Sequence, residues 1–203
     1  MTGKLFGTDG VRGVAGEFLT AELAFAIGRA AVSVCGSRSP EVLVVRDTRI
    51  SGEMLEAALC AGIAASGGQA LLGGVLPTPA ASILVRRFGF DLAAVISASH
   101  NPFMDNGIKF FDANGRKLAD EAELAIEEEV QAWSERPIPM GGRTGKPCGD
   151  TAPAGRVRPI TGALEFMFTP VTGRVRAESC IPGWDRPSRR NWRAKIRRFR
   201  ISS

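Results

Sequence analysis

Short continuous apolar runs alternate along the chain with longer segments whose apolar residues recur at helical spacing. The runs predict strands that are buried on both faces, because such strands have no polar side. Strands alternating with helices predict a three-layer α/β/α fold around a mixed sheet, parallel in part and with a hairpin edge. The predicted strands are 42–45, 70–72, 92–96 and 107–111, and the predicted helices are 21–35, 52–66, 78–87 and 120–133.

Several of these elements have recognisable ends. Thr20 and Ser51 each precede a helical segment, at a position where a side-chain oxygen can accept a backbone N–H. Thr78 followed by Pro79 predicts a helix with proline in its first turn. Asn114-Gly115 predicts a turn between the last strand and the last helix.

The character of the chain changes after residue 133. Residues 134–154 are rich in glycine and proline and predict a linker after a first domain at 1–133. Residues 166–203 carry ten basic and two acidic side chains and few long aliphatic ones. Such a segment cannot bury enough apolar area to offset its chain entropy, so we expect a disordered, unrelated basic tail. A shifted reading frame in GC-rich DNA would produce the same composition, and both interpretations stay open.

The net charge of +5 comes from the end of the chain alone. Residues 156–203 hold 12 basic and three acidic side chains, whereas residues 1–155 hold 14 basic and 18 acidic ones. Arginine together with Trp184 and Trp192 could contact phosphates and stack on bases, so nucleic-acid binding by the tail is an alternative function. We do not expect nucleic acid to be the main partner, because a shifted reading frame would also produce an arginine-rich segment.

The sequence gives no sign of a membrane-bound or exported protein. Its longest apolar stretch, 71–85, is interrupted by glycines and prolines, and its first residues lack a signal-peptide pattern. The four cysteines form no Cys-x-x-Cys pair and the chain has one histidine, which favours free thiols over a zinc site. These features predict a cytoplasmic protein. They do not indicate an oligomeric state.

The predicted strand 92–96 stops abruptly in small and polar residues. Pro102 keeps the residue before it out of the helical region, so the chain must turn there. Open α/β sheets bind their ligands at the carboxyl ends of strands, and this turn places two serines there, Ser97 and Ser99. The only histidine, His100, is next to Ser99. Taken alone, these residues also suit an ordinary turn.

Two motifs carry a resemblance to a known family. Ser97 to Asp112 (SASHNPFMDNGIKFFD) resembles the phosphoserine loop of the α-D-phosphohexomutases, and Phe6 to Gly13 (FGTDGVRG) resembles the other signature of their first domain. Within that superfamily both motifs are most similar to the phosphoglucosamine mutases, and residues 155–165 resemble the start of the second domain. The resemblance implies the phosphohexomutase domain 1 fold and an isomerase that interconverts glucosamine 6-phosphate and glucosamine 1-phosphate through a phosphoserine and a sugar bisphosphate. A phosphomannomutase or phosphoglucomutase is the alternative, because the sugar-binding loop is missing.

The resemblance also implies roles for individual residues. Ser99 matches the phosphorylated nucleophile, and Arg12 and Lys109 match cations that contact its phosphate, Lys109 within the catalytic machinery. His100 suggests a general base, but successive side chains of extended backbone point to opposite sides, so a turn-fixing or phosphate-contacting role is equally open. Arg46, Asp47 and Arg49 mark another strand end at the same edge and receive no role.

The resemblance implies Mg²⁺, bound through the Ser99 phosphate and an aspartate-rich loop of the second domain. That loop is absent from this sequence, so Ser99 would be the single metal-binding position here. Oxygen ligands of this kind suit a hard cation. Because the loops for metal, sugar and distal phosphate are missing, we expect the 203-residue chain to be truncated and inactive alone.

Overall fold

A computed structural model describes residues 4–134 and 155–160 of the chain. Within these ranges the secondary structure follows the predicted alternation closely, with two additional strands. No helix in them is long and apolar enough to span a membrane. The strands are Val11–Val14 (β1), Glu41–Arg46 (β2), Gln69–Val75 (β3), Leu92–Ile96 (β4), Asp105–Asp112 (β5) and Arg156–Pro159 (β6), and the helices are Ala21–Val34 (α1), Ser51–Ala65 (α2), Thr78–Phe88 (α3) and Asp120–Ser134 (α4).

The six strands form one sheet in the order β1-β5-β4-β2-β3-β6. The neighbours among β4, β2, β3 and β6 are parallel, whereas β5 runs antiparallel to both β4 and β1. The mixed sheet with an antiparallel hairpin side is therefore confirmed. Because β4 and β5 are consecutive, the loop between them lies at the carboxyl end of a parallel strand.

Side chains on the two faces of the sheet belong to two separate cores. Along β2, Val42 and Val44 pack under α1, α2 and α4, while Leu43 and Val45 pack against α3. All four side chains are fully buried. Complete burial of such a side chain is worth about 1.5–3 kcal/mol, so both faces hold β2 in the middle of the sheet. This explains the continuous apolar runs and confirms the three-layer architecture.

The helix ends agree only in part with expectation. The Thr20 hydroxyl accepts the N–H of Leu23 at 3.2 Å, as predicted for the cap of α1. The prediction for Ser51 was wrong: this residue is already helical, and its hydroxyl accepts a hydrogen bond from Asn106 at 2.9 Å. A tertiary contact with β5 thus replaces the local cap, and the preceding residue makes no side-chain cap bond.

Strand β6 comes from the segment that we expected to open a second domain. It pairs in parallel with β3, and the next residue, Ile160, is buried in the core on the α3 side. The sheet therefore continues beyond residue 133. The predicted linker after residue 134 and the predicted tail at 166–203 lie outside the described residues.

Candidate active site

The loop between β4 and β5 treats its two serines differently. Ser97 is buried, and its hydroxyl accepts the backbone N–H of Ser99 at 3.1 Å. Ser99 is exposed and has a left-handed backbone with φ of 55°. A residue with a side chain pays about 1–2 kcal/mol for that conformation. The strained turn presents the Ser99 hydroxyl to solvent and keeps the Ser97 hydroxyl inside.

His100 is exposed beside this hydroxyl. Its Nδ1 lies 3.4 Å from the Ser99 Oγ, a distance too long for a strong hydrogen bond. Successive side chains point to opposite sides only along extended backbone, and the backbone of Ser99 is left-handed. The general-base, turn-fixing and phosphate-contacting roles of His100 all stay predictions.

Arg12 reaches from β1 to the serine loop, by which we mean residues 97–105. In the antiparallel pairing Arg12 lies opposite Gly107, and its Cγ stands 2.9 Å from the position that a Cβ of Gly107 would occupy. The stem of the arginine therefore crosses the glycine. Its Nη1 donates to the Oδ1 of Asn101 at 3.3 Å, and its Nη2 pairs with Asp9 at 3.3 Å. Within the described ranges its buried Nε has no hydrogen-bond partner.

Lys109 lies on the same face of β5 as Gly107, because alternate residues of a strand share a face. Its side chain is half-buried, and no residue of 4–134 or 155–160 forms a hydrogen bond or ion pair with it. Burial lowers the pKa of Lys109, the nearby Arg12 lowers it further, and Asp9 partly opposes both effects. A second anion beside Lys109 and Arg12 would therefore be favoured.

Gly10 lets the N-terminal motif approach these cations. It has φ of 90°, and a Cβ there would stand 2.4 Å from the carbonyl oxygen of Ile108 and 2.8 Å from the Cβ of Lys109. No residue with a side chain could take this position without displacing β5. A shallow pocket, lined in part by Lys4, Asp9 and Arg12, opens next to the motif.

Arg49, which sequence reasoning left without a role, binds the serine loop from the end of β2. Its Nε donates to the carboxylate of Asp47 at 3.3 Å, and its two terminal nitrogens donate to four backbone carbonyls of the loop. No sequence signal marks such a contact, because carbonyl acceptors are present at every residue. The four acceptors are the carbonyls of Ser99, Asn101, Pro102 and Asp105.

The side chains around Ser99 do not form a magnesium site of their own. In the part of the chain that the structure describes, no three His, Cys, Asp or Glu residues are grouped to hold a metal ion. Three carboxylates of the site already have partners: Asp9 pairs with Arg12, Asp47 pairs with Arg49, and Asp105 accepts from Asn101. Arg12 keeps a buried N–H without an acceptor in the described ranges, and the charged form of Lys109 is disfavoured by burial and by Arg12, so both would be stabilised by an added anion.

Residues 3–137 match the family described as phosphoglucomutase/phosphomannomutase, alpha/beta/alpha domain I. The chain belongs to this family. It is 53% identical over 166 residues to the phosphoglucosamine mutase of Moorella thermoacetica, a match that covers 80% of this chain and 35% of that protein. It is 45% identical over 186 residues to the phosphoglucosamine mutase of Cutibacterium acnes, covering 89% and 39%. The crystal structure of a phosphoglucomutase/phosphomannomutase family protein from Burkholderia thailandensis superposes with a TM-score of 0.62 at 25% identity, covering 81% and 34%.

The matches to these relatives cover different shares of this chain and of the relatives. The chain spans little more than a third of the length of these two curated relatives. The match to the Cutibacterium acnes protein covers 89% of this chain, which is more than residues 1–165 alone could supply. At least part of the segment that we expected to be unrelated therefore aligns with a family member. The domain boundaries, the basic tail and the reading-frame interpretation all stay predictions.

Proposed function

We propose that this chain is the phosphoserine domain of a phosphoglucosamine mutase, with Ser99 as the residue that carries the phosphoryl group. The proposal is carried by the exposed Ser99 hydroxyl on a strained turn, whose loop is bonded through Asn101 to Arg12. Lys109 lies close enough to Arg12 for the arginine to lower its pKa. Phosphoserine would donate its phosphoryl group to a hydroxyl of the sugar phosphate. The resulting bisphosphate would return its other phosphoryl group to Ser99, which completes the isomerisation.

The two cations suit this chemistry. The transferring phosphoryl group keeps its negative charge on three oxygens, and fixed positive groups stabilise that charge without reorganisation. Arg12 is already held at the loop through Asn101 and retains a buried N–H without a partner among the described residues. Lys109 is disfavoured as a buried cation until an anion arrives. Both features favour a phosphate on Ser99 over a neutral hydroxyl.

The substrate class rests on the relatives. The curated relatives are named phosphoglucosamine mutases, which favours glucosamine 6-phosphate and glucosamine 1-phosphate as the sugar pair. A hexose-phosphate mutase is the second candidate, because the family description names phosphoglucomutase and phosphomannomutase. Mg²⁺ would need ligands beyond the described residues, so we derive no step through it.

A chimaera tests the proposal. Residues 1–160 of this chain replace the matching segment of the Moorella thermoacetica relative, so that the sheet including β6 stays intact. We expect formation of glucosamine 1-phosphate, a monophosphate on Ser99 by peptide mass mapping, and loss of both in Ser99→Ala. Arg12→Gln and Lys109→Met should each lower kcat by about 10²–10³.

Arg46→Lys is the matched control, because Arg46 pairs with Glu53 and Glu56 and its remaining side-chain hydrogen bond in the described ranges goes to the backbone carbonyl of Asp47, at 3.5 Å. The chimaera with Arg46→Lys should be as active as the unsubstituted chimaera. Phosphate on Ser97 with Ser99 bare would refute the assignment of the nucleophile. Turnover of mannose or glucose phosphates in preference to glucosamine phosphates would establish the second candidate instead.

A further inference from the structure

Every N–H group of the Arg49 guanidinium has a hydrogen-bond acceptor, either on Asp47 or in the serine loop. An arginine has five N–H groups in a planar fork. One donates to Asp47, and the other four donate to the carbonyls of the serine loop, at 3.0 Å for Ser99, 2.8 Å for Asn101 and 2.9 Å for Asp105. The fourth carbonyl is that of Pro102.

Arg49 differs from Arg12 and Lys109 because all of its hydrogen-bond donors are occupied. Arg12 keeps a buried N–H without a partner in the described ranges, and Lys109 pairs with none of those residues. Arg49 has no donor left for a phosphate oxygen. Its hydrogen bonds go to main-chain oxygens of the residues around the nucleophile, so it acts on the loop itself.

We propose that Arg49 is a positioning residue, which clamps the left-handed turn at Ser99 so that a phosphate on this serine faces Arg12 and Lys109. The proposal rests on the proposed function of Ser99. One clamped carbonyl belongs to Ser99 and another to Asn101, whose side chain also accepts from Arg12. The guanidinium of Arg49 thus fixes the strained Ser99 and also Asn101, which binds Arg12. Asp47 in turn fixes the fork by accepting from both the Nε and the backbone N–H of Arg49.

The geometry explains why lysine could not replace this arginine. A lysine ammonium has three donors on one atom and cannot reach four carbonyls spread along the loop, although it keeps the positive charge. Arg49→Lys therefore removes the clamp and retains the charge. If this substitution changes the pKa of a phosphate at Ser99, the cause is therefore a change in the position of the loop and not a loss of charge.

The test uses the full 203-residue chain with phosphoserine incorporated at position 99 during translation. A ³¹P NMR titration measures the second pKa of that phosphate, which is about 6 for a free phosphoserine. We expect a lower pKa in the chain, because nearby cations favour the dianion. Arg49→Lys should return at least half of that shift. Arg46→Lys makes the same chemical change on a neighbouring arginine that pairs with Glu53 and Glu56. It donates to the backbone carbonyl of Asp47 at 3.5 Å and not to the carboxylate that holds Arg49, so the pKa should stay unchanged.

Each outcome bears on one proposal. An unchanged phosphate pKa in Arg49→Lys, or an equal change in Arg46→Lys, overturns the role of Arg49. An ordinary pKa in the unsubstituted chain that is insensitive to Arg12→Gln overturns the phosphate site, and with it the proposed function. If Arg49→Lys does not unfold cooperatively, Asp47→Asn decides, because it weakens the anchor of the fork and spares the four carbonyl bonds. In Asp47→Asn, a phosphate pKa that moves back toward the free value, by less than we expect for Arg49→Lys, supports the clamp. An unchanged phosphate pKa refutes it.

Discussion

The hydroxyl of Ser97 accepts the backbone N–H of Ser99 at 3.1 Å, so the buried serine stabilises the turn that exposes the other. We expect Ser97→Ala to lower the free energy of unfolding by about 1 kcal/mol, since the amide of Ser99 loses its acceptor. Urea denaturation measures the change. Ser33→Ala, on an exposed face of α1, is the control and should change stability less. Equal losses in the two variants would show that the hydrogen bond to Ser99 contributes nothing specific.

The left-handed backbone of Ser99 leads to a comparison between two substitutions. Glycine takes this conformation without a steric penalty, whereas alanine keeps the penalty and loses the hydroxyl. We expect Ser99→Gly to be more stable than Ser99→Ala by about 1 kcal/mol, as measured by chemical denaturation. Both remove the hydroxyl that we propose as the nucleophile, so neither chimaera should be phosphorylated. A glycine variant that is less stable than the alanine variant would contradict the strained turn.

The sequence predicted the interior of the sheet better than its edges. Leu92–Ile96 is apolar throughout because both of its faces are buried, and its bounds were predicted to the residue. Val11–Val14 and Arg156–Pro159 were missed, since their charged and small residues give no strand pattern. These edge strands form because a neighbouring strand offers free hydrogen-bonding groups, and that information lies far away in the chain.

The residues of the candidate site also differ in whether the sequence could predict them. The motif around Ser99 was visible in the sequence because its residues are contiguous. The clamp by Arg49 was not visible, because its partners are main-chain carbonyls of residues 99–105, which any sequence would provide. Ser51 was misassigned for a related reason: its real partner, Asn106, comes from another strand.

Lys109 gives the stability of the chain a defined pH dependence. Its pKa lies below 10.5 in the folded chain because of burial and then Arg12, so the charged lysine costs stability. This cost is present at pH values below the lowered pKa and disappears as the pH rises through it toward 10.5. We expect Lys109→Met to stabilise the chain near neutral pH and to lose that advantage at strongly alkaline pH. Urea denaturation at both pH values measures this, and an advantage that grew with pH would contradict the burial of a charged lysine.

Cys60 should be unreactive in the folded protein. Burial raises the pKa of its thiol to about 12, and the nearby carboxylate of Glu56 adds to the effect. Because the thiolate is the nucleophile, iodoacetamide at mildly alkaline pH should leave Cys60 unmodified until urea unfolds the chain. Peptide mass mapping follows the reaction, with the less buried Cys35 as the internal comparison. Rapid labelling of Cys60 without urea would show that α2 opens locally.

Glu127 on α4 anchors the segment that leads into the N-terminal motif. Its buried carboxylate accepts the N–H of Leu5 at 2.8 Å and of Phe6 at 3.4 Å. Glu127→Ala leaves both amides without this acceptor, and we expect a loss of about 1–3 kcal/mol in unfolding free energy. Faster hydrogen exchange at residues 4–12 should accompany it. The adjacent exposed Glu128 is the control, and a similar loss in Glu128→Ala would contradict the anchoring role.

The parallel pairing of β6 with β3 sets an order of events during protein synthesis. Strand β3 ends at Val75, but the partner that covers its outer edge begins only at Arg156. While the ribosome makes the intervening residues, the growing chain can pair β3 with β2 on one side alone. An uncovered strand edge readily pairs with other chains. This domain therefore has a period of exposure to aggregation that ends when residues 156–159 leave the ribosomal tunnel.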